Sequence, residues 1–131
     1  MKYKSKNHSK FLIKYHIIFV CKYRKNLLVK YGEGIKAIMQ CIANKYDFDI
    51  LVQEIDKDHI HLLIESIPKI SPLMIIRILK QQSTIEIYKQ YKNELKKSFW
   101  KENTFWTDGY FVSTIGEVSS EILKKYIENQ G

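Results

Sequence analysis

The segment from Asp58 to Glu65 alternates between two kinds of side chain with a period of two residues. Successive residues of a β-strand point to opposite faces of a sheet, so this alternation predicts a strand. One predicted face is a stripe of isoleucine and leucine, and the opposite face carries His59 and His61. A hydrophobic core must therefore cover one side of the strand, while the other side presents two imidazoles.

Two neighbouring imidazoles can supply half of the ligands of a divalent metal ion. Histidines two residues apart are also common on the solvated face of an ordinary strand. The spacing of His59 and His61 leaves both interpretations open.

A second candidate cluster lies near the C-terminal end of the sequence, where Tyr126 and Gln130 are four residues apart. The segment Glu117–Asn129 has apolar residues at helical spacing and lacks glycine and proline, which predicts a helix with both side chains on one face. A tyrosine hydroxyl can act as a nucleophile, and an amide oxygen can complete a site for a hard cation. Tyr126 also continues the apolar stripe of this helix, so a packing role is the competing interpretation.

The charge balance favours a polyanionic partner. The 131 residues include 22 Lys and Arg against 14 Asp and Glu, and nine tyrosines could stack on unpaired bases. Because the basic residues are almost all lysines, phosphate contacts should dominate over bidentate base recognition. The predicted DNA contacts are Lys22, Arg24, Lys25, Arg77, Lys80, Gln81, Lys124 and Lys125. The last two flank Tyr126, where they either assist the hydroxyl and bind phosphate or are simply solvated.

Cysteine usage and hydropathy predict the cellular localisation of the protein. Cys21 and Cys41 are isolated and show neither metal nor redox spacing, so a reduced, cytoplasmic setting is expected. The first ten residues are polar and basic, and no apolar run approaches the length of a membrane span. No membrane partner is expected.

The periodicities predict a single domain over residues 1–131 with the element order β-α-β-β-α-β-α. Strands are predicted over Lys14–Lys22, Asp49–Ile55, Asp58–Ile67 and Gly109–Thr114, and helices over Ile35–Tyr46, Ser71–Tyr91 and Glu117–Asn129. Gly32-Glu33-Gly34 is predicted to be a turn. The first six elements predict an α+β, ferredoxin-like fold, in which two helices cover one face of a four-stranded antiparallel sheet. Residues 116–131 are predicted as a C-terminal helix hinged at Gly116.

At these positions the chain resembles the small single-tyrosine HUH transposases (TnpA type) of the insertion-sequence 200/605 family. The resemblance lies in the segments Asp56–His61, Phe105–Gly116 and Lys125–Gln130, and Tyr15–Lys25 is similar to that family's first strand. It implies a DNA transposase that cuts and rejoins single-stranded DNA at the hairpin-marked ends of a mobile element, through a 5′-phosphotyrosine intermediate.

The same resemblance implies roles for individual residues. Tyr126 would be the nucleophile, and His59, His61 and Gln130 would bind a divalent cation, Mg²⁺ or alternatively Mn²⁺. The family also implies a homodimer in which the tyrosine helix of one subunit completes the metal site of the other.

Three other functions fit parts of the pattern. A related HUH nuclease that acts on repetitive palindromes or replication origins would share every one of these residues. A non-catalytic domain that binds single-stranded nucleic acid would need neither the histidine pair nor the tyrosine. A metal-dependent hydrolase or metal-binding structural protein would usually have more acidic ligands near His61.

Overall fold

The computed structural model describes residues 4–6, 9–99, 103–114 and 120–130. Its strands are β1 (Lys4–Lys6), β2 (Ser9–Phe11), β3 (Ile13–Val20), β4 (Asp49–Ile55), β5 (His59–Ser66) and β6 (Phe111–Ser113). Its helices are α1 (Leu28–Ala43), α2 (Pro72–Leu95) and α3 (Ser120–Glu128), and Lys22–Arg24 forms a short 3₁₀ turn.

The central sheet has the strand order β4-β5-β3-β6, and each neighbouring pair is antiparallel. β1 and β2 form a separate small hairpin that the sequence did not indicate. The order and direction of the four central strands, with α1 and α2 as the connecting helices, confirm the predicted α+β, ferredoxin-like fold.

The core lies between the sheet and the two long helices. Along β5 the residues alternate between partly and fully buried, and Ile60, Leu62 and Ile64 are inaccessible to solvent. They belong to one cluster with Met39 of α1 and Leu79 of α2. Burying each such side chain contributes about 1.5–3 kcal/mol, so this face of the sheet is committed to packing. The opposite face, which carries His59 and His61, is left for a functional site.

The predicted turn at Gly32-Glu33-Gly34 is wrong, because both glycines lie inside α1. A Cβ atom on Gly32 would collide with the side chain of Ile55, and one on Gly34 would collide with the hydroxyl of Tyr91. Neither glycine has a positive φ angle. Their lack of a side chain allows the close approach of β4 and α2 to α1. The helix begins at Leu28 rather than at Ile35 and ends at Ala43 rather than at Tyr46.

The predicted start of α2 is confirmed. The Ser71 hydroxyl accepts a hydrogen bond from the Met74 backbone N–H at 3.1 Å, and Pro72 occupies the first turn. The helix continues to Leu95 and passes through a non-helical φ of −127° at Tyr91, where the prediction had ended it. In the ranges that the structure covers, no helix has the length and apolar content of a membrane span.

The remaining predicted boundaries differ by a few residues. The first and last predicted strands correspond to the slightly shifted β3 and the shorter β6. The predicted hinge at Gly116 lies outside the described residues. The predicted C-terminal helix is represented by α3.

Candidate active site on the open sheet face

Strand pairing brings one row of side chains across the open face. Directly opposed residues of an antiparallel sheet share a face, and His61 is opposite both Glu54 of β4 and Ile18 of β3. Ile18 is in turn opposite Phe111 of β6. His59 begins the adjacent row, opposite Val20. The two histidines therefore share one face of β5, as the alternation predicted, and lie next to the central strand β3.

His59 is oriented by its neighbour in the sequence. Its Nδ1 lies 3.0 Å from Oδ1 of Asp58, and the other carboxylate oxygen accepts a hydrogen bond from Arg24 Nε at 3.3 Å. His59 is partly buried, so its ring is held in place while Nε2 makes none of these contacts.

His61 is paired with a third histidine. Nε2 of His61 and Nδ1 of His16 are 2.9 Å apart, and the two rings stack with their centroids 5.1 Å apart. Burial lowers the pKa of His61; the nearby His16 and His59 lower it further, against the opposing effect of Glu54. His61 is therefore held in the neutral form, which is the form that binds metals.

Sequence reasoning assigned no role to His16. It lies in β3, whose two faces both appeared apolar. Its side chain lies on the histidine face because His16 is opposite Leu63 of β5, and this register is not specified by the local sequence.

Tyr126 and Gln130 come together at a glycine. A Cβ atom built on Gly109 would lie 3.4 Å from Gln130 Oε1 and 3.6 Å from the Tyr126 hydroxyl oxygen. The Tyr126 ring also packs against Phe111, with centroids 5.8 Å apart. The absence of a side chain at Gly109 thus lets two oxygen atoms of the C-terminal segment approach the same point of the sheet edge.

The Tyr126 hydroxyl is buried and has no hydrogen-bond partner among the described residues, and the same holds for the hydroxyl of Thr107. Burial raises the pKa of Tyr126. The Thr107 hydroxyl lies close enough to lower this pKa in part, although the two hydroxyls make no hydrogen bond of normal geometry. Buried polar atoms are usually paired, so an unpaired hydroxyl at this point favours a role with a ligand.

In the plane of the sheet, His59 and His61 are on the β5 side of β3, and the segment that leads to Gly109 is on the β6 side. The Thr107 N–H donates to the Val20 carbonyl at 2.8 Å, so the chain leading to Gly109 runs along β3 opposite His59. Two inter-strand spacings amount to about 10 Å, a gap that facing side chains can bridge. A groove of about 380 Å³ lies between His59 and α3. It is lined by Arg24, Asp56, Asp58, His59, Lys124, Ile127 and Glu128.

The residues present offer donors for the metal site that the resemblance implies. Within the described ranges, no three or more His, Cys, Asp or Glu side chains are grouped as a metal site. The amide oxygen of Gln130, which lies near Gly109, is a further donor of the kind that such a site can use. Two neutral imidazoles and one amide fit a divalent cation that keeps open positions for substrate oxygens.

Cys21 is a further potential nucleophile near the site. Its side chain is fully buried, and its backbone forms an isolated β-bridge with the backbone of Trp106. Burial, together with the nearby Asp58, raises the pKa of its thiol to about 12, against a smaller opposing effect of the Leu27 backbone. It therefore stays protonated at neutral pH and is a poor nucleophile.

The predicted DNA contacts have different surroundings. Lys22 pairs with Asp108 at 3.5 Å, and Lys25 lies 5.8 Å from the centre of the Phe99 ring. Lys124 lines the groove beside His59, and Lys125 is exposed on α3.

Lys80 makes structural contacts that the sequence did not indicate. Its half-buried ammonium group donates hydrogen bonds to the carbonyls of Thr107, at 2.5 Å, and Gly109, at 3.1 Å. Lys80 also lines a second cavity, of about 280 Å³, together with Arg77 and Gln81.

Comparison with known proteins identifies the family. The family model described as "Transposase IS200 like" matches residues 9–130. The chain is 35% identical over 130 residues to the transposase for insertion sequence element IS200 of Salmonella typhimurium, covering 97% of this chain and 82% of that protein. It is 31% identical over 119 residues to the ISDra2 transposase TnpA of Deinococcus radiodurans, covering 90% and 84%.

Solved structures give the same result. A crystal structure described as that of a candidate transposase from Deinococcus radiodurans R1 superposes with a TM-score of 0.87 at 28% identity, covering 97% of both chains. A REP-associated tyrosine transposase bound to a REP hairpin shares the fold, with a TM-score of 0.55 at 10% identity over 95% of this chain and 69% of that one.

The fold and these relatives define the class of protein as a transposase. More narrowly, the chain belongs to the IS200-like transposase family.

Proposed function

We propose that this protein cuts and joins single-stranded DNA at hairpin-marked ends of an insertion sequence, with Tyr126 as the nucleophile. The observation that carries the proposal is the convergence of the Tyr126 hydroxyl and Gln130 Oε1 at Gly109, on the side of the sheet that also presents the histidine pair.

The chemistry is a phosphoryl transfer in two reversible steps. The Tyr126 oxygen bonds to phosphorus and gives up its proton, while the bond from phosphorus to the 3′ oxygen breaks. That oxygen takes up a proton and leaves as a 3′-OH, and the 5′ phosphate stays on the tyrosine. A different 3′-OH can then reverse the step and join new ends, because the phosphotyrosine bond retains the energy of the broken phosphodiester.

His59, His61 and Gln130 are the proposed holders of Mg²⁺ or Mn²⁺. When bound, the cation would polarise a non-bridging phosphate oxygen and neutralise charge in the transition state. Because imidazole and amide ligands are neutral, they leave the positive charge of the cation available to the phosphate. Lys124, in the groove beside His59, adds a further positive charge where the DNA strand would pass.

The proposed partner is single-stranded DNA that carries hairpins. The net charge of +8 supports binding to a polyanion, and the structural relative bound to a REP hairpin supports the form of the DNA. Arg77, Gln81 and the exposed Tyr110 share a cavity next to the segment that ends at Gly109. We assign this cavity to contacts with nucleotides that flank the cut.

A second copy of the chain is the other proposed partner. Among the described strands β4 pairs only with β5, so one of its edges is unpaired. The exposed apolar residues Leu51 and Val52 lie on β4, where the register shifts between Ile50 and Val52. An exposed apolar edge favours pairing with another strand, and two-fold pairing of β4 edges would produce a homodimer.

The decisive variant is Tyr126→Phe, which removes one oxygen and keeps the ring against Phe111. We expect hairpin binding within about twofold of the wild type, because phosphate contacts carry most of the affinity. Cleavage, joining and the covalent protein–DNA adduct should all disappear on denaturing gels with 5′- and 3′-labelled oligonucleotides. Tyr46→Phe, at an exposed tyrosine that stacks on Phe48, is the matched control and should cut normally. Adduct formation by the Tyr126 variant would assign the chemistry to another residue.

The metal part has its own test. His59→Ala and His61→Ala should abolish cleavage in Mg²⁺ or Mn²⁺ while hairpin affinity changes by no more than a few-fold. Gln130→Ala should be milder, since water can replace a neutral amide ligand. Wild-type cleavage that continues in EDTA would remove the metal from the proposed function and leave the role of Tyr126 standing.

A further inference from the structure

The Asp58 carboxylate connects the candidate metal site to the 3₁₀ turn after β3. One of its oxygens contacts His59 Nδ1 at 3.0 Å, and the other accepts from Arg24 Nε at 3.3 Å. Its side chain is only 14% exposed, so the two contacts are partly shielded from water and from salt. A carboxylate held on both sides has little freedom to turn away from His59.

Arg24 reaches this carboxylate from an uncommon backbone conformation. Tyr23 and Arg24 have φ angles of 60° and 51°, in the left-handed region that favours glycine. Such a residue persists only where its surroundings impose this conformation. Here the backbone N–H of Cys21 donates to the Asp58 carbonyl at 2.8 Å, and that of Lys22 donates to the Phe105 carbonyl at 2.7 Å. The turn is thus tied to the residue that its arginine contacts.

The contact determines which ring nitrogen of His59 carries the proton. An ionised carboxylate can only accept hydrogen bonds, so Nδ1 of a neutral His59 must be the N–H donor. Nε2 then keeps its lone pair and can act as a ligand. Metal-binding histidines are commonly fixed in this way by a carboxylate.

We propose that Asp58 is a positioning residue that fixes His59 as the Nδ1–H tautomer, with Nε2 free for a divalent cation, and that Arg24 holds Asp58 in this orientation. The inference rests on the proposed function for the cation itself. It adds Asp58 and Arg24 to the residues on which the site depends, and it gives Arg24 a role other than the predicted DNA contact.

The structure suggests an isosteric test. In Asp58→Asn, Arg24 can only donate, so it should attract the amide oxygen and turn the amide NH₂ group toward His59 Nδ1. That nitrogen must then accept, which moves the proton to Nε2, the nitrogen needed by the metal. The double variant Arg24→Met with Asp58→Asn removes the donor that forces this orientation, so the amide oxygen can face His59 again.

Tautomers are read directly in the metal-free protein, at a pH of about 8 where imidazoles are neutral, from long-range proton–nitrogen NMR correlations. We expect Nδ1–H for His59 in the wild type, Nε2–H in Asp58→Asn, and recovery of Nδ1–H in the double variant. Asp47→Asn is the charge-matched control, because Asp47 is in an exposed ion pair with Lys69, and it should match the wild type.

Binding of Mn²⁺ alone, followed by electron paramagnetic resonance, provides the second measurement. Asp58→Asn should bind Mn²⁺ about 10- to 100-fold more weakly than the wild type, and the double variant should regain part of the loss. An Nε2–H tautomer in the wild type, an unchanged tautomer in Asp58→Asn, or unchanged Mn²⁺ affinity in that variant would each overturn the inference. A wild-type protein that binds no Mn²⁺ would instead refute the proposed metal site, and the tautomer measurement does not depend on that result.

Discussion

At the scale of single residues, the state of the Tyr126 hydroxyl sets the main chemical requirement. A phenol attacks phosphorus as its phenolate, and burial raises the pKa of Tyr126 above its usual value near 10. The proposed nucleophile is therefore protonated at neutral pH in the free protein. Loss of the Tyr126 proton therefore has to be promoted by the bound substrate and cation, or by positively charged groups such as Lys124.

This state predicts a pH dependence. Below the raised pKa, the phenolate fraction increases about tenfold for each pH unit. The rate constant of single-turnover cleavage should therefore increase steadily from about pH 6 to pH 8 without reaching a plateau. Rates are to be measured with saturating oligonucleotide and Mn²⁺, and hairpin binding at each pH serves as the control. A rate that is flat over this range while binding is constant would contradict the phenolate as the limiting species.

Residue-scale prediction from the sequence succeeded where it depended on alternation and failed where it depended on backbone conformation. The period of two put His59 and His61 on one face, and strand pairing agrees. The contact of Asp58 with Arg24 could not be foreseen, because it requires a positive φ at a residue that is not glycine. His16 was missed because its position opposite β5 is set by register, which no local pattern specifies.

At the scale of elements, α2 is the support for the segment that carries Gly109. Besides the two hydrogen bonds from Lys80, the Ser83 hydroxyl accepts from Trp106 Nε1 at 2.9 Å, and the Tyr88 hydroxyl donates to the Thr104 carbonyl at 2.6 Å. These contacts hold a stretch that is neither helix nor strand. The position of Gly109, and with it the meeting point of Tyr126 and Gln130, thus depends on side chains of a helix on the other side of the sheet.

Lys80→Met tests this support. Methionine can fill the space of the lysine stem, but the carbonyls of Thr107 and Gly109 lose their donor, so unfolding in urea should require about 1–3 kcal/mol less free energy. Lys89→Met on the same helix removes only an exposed pairing with Glu86 and should stay within about 0.5 kcal/mol of the wild type. Equal stabilities of the two variants would contradict a supporting role for Lys80.

The elements themselves were largely predictable, since β5, α2 and the hairpin of β4 with β5 follow from periodicity and from the Ser71-Pro72 start signal. The first turns of α1 were not. Gly32 and Gly34 have the composition of a turn, yet their purpose is the close approach of Ile55 and Tyr91. Such tertiary proximity is invisible in a local sequence pattern.

At the scale of the whole molecule, the helix α3 that carries Tyr126 can pack on its own sheet or on the sheet of a partner subunit. In the single chain, α3 lies on its own sheet, with Tyr126 against Phe111 and Lys124 in the groove beside His59. The proposed homodimer would use the same contacts after exchange, with α3 of each subunit in the equivalent position on its partner. Exchange of an identical element is a common route to symmetric dimers, and it leaves every contact of the site chemically unchanged.

Mixing two inactive variants distinguishes these arrangements. His61→Ala removes an imidazole from the sheet and Tyr126→Phe removes the nucleophile from α3, so neither protein should cut alone. If the sites are shared, a heterodimer combines the intact sheet of one subunit with the intact α3 of the other, and we expect cleavage at about half the wild-type rate per heterodimer. Subunit exchange is to be verified with differently tagged chains, and a mixture of His59→Ala with His61→Ala, which damages both sheets, should remain inactive. If the tagged heterodimers form and the first mixture is also inactive, each chain uses its own helix, as the single chain is arranged, and the shared site is refuted.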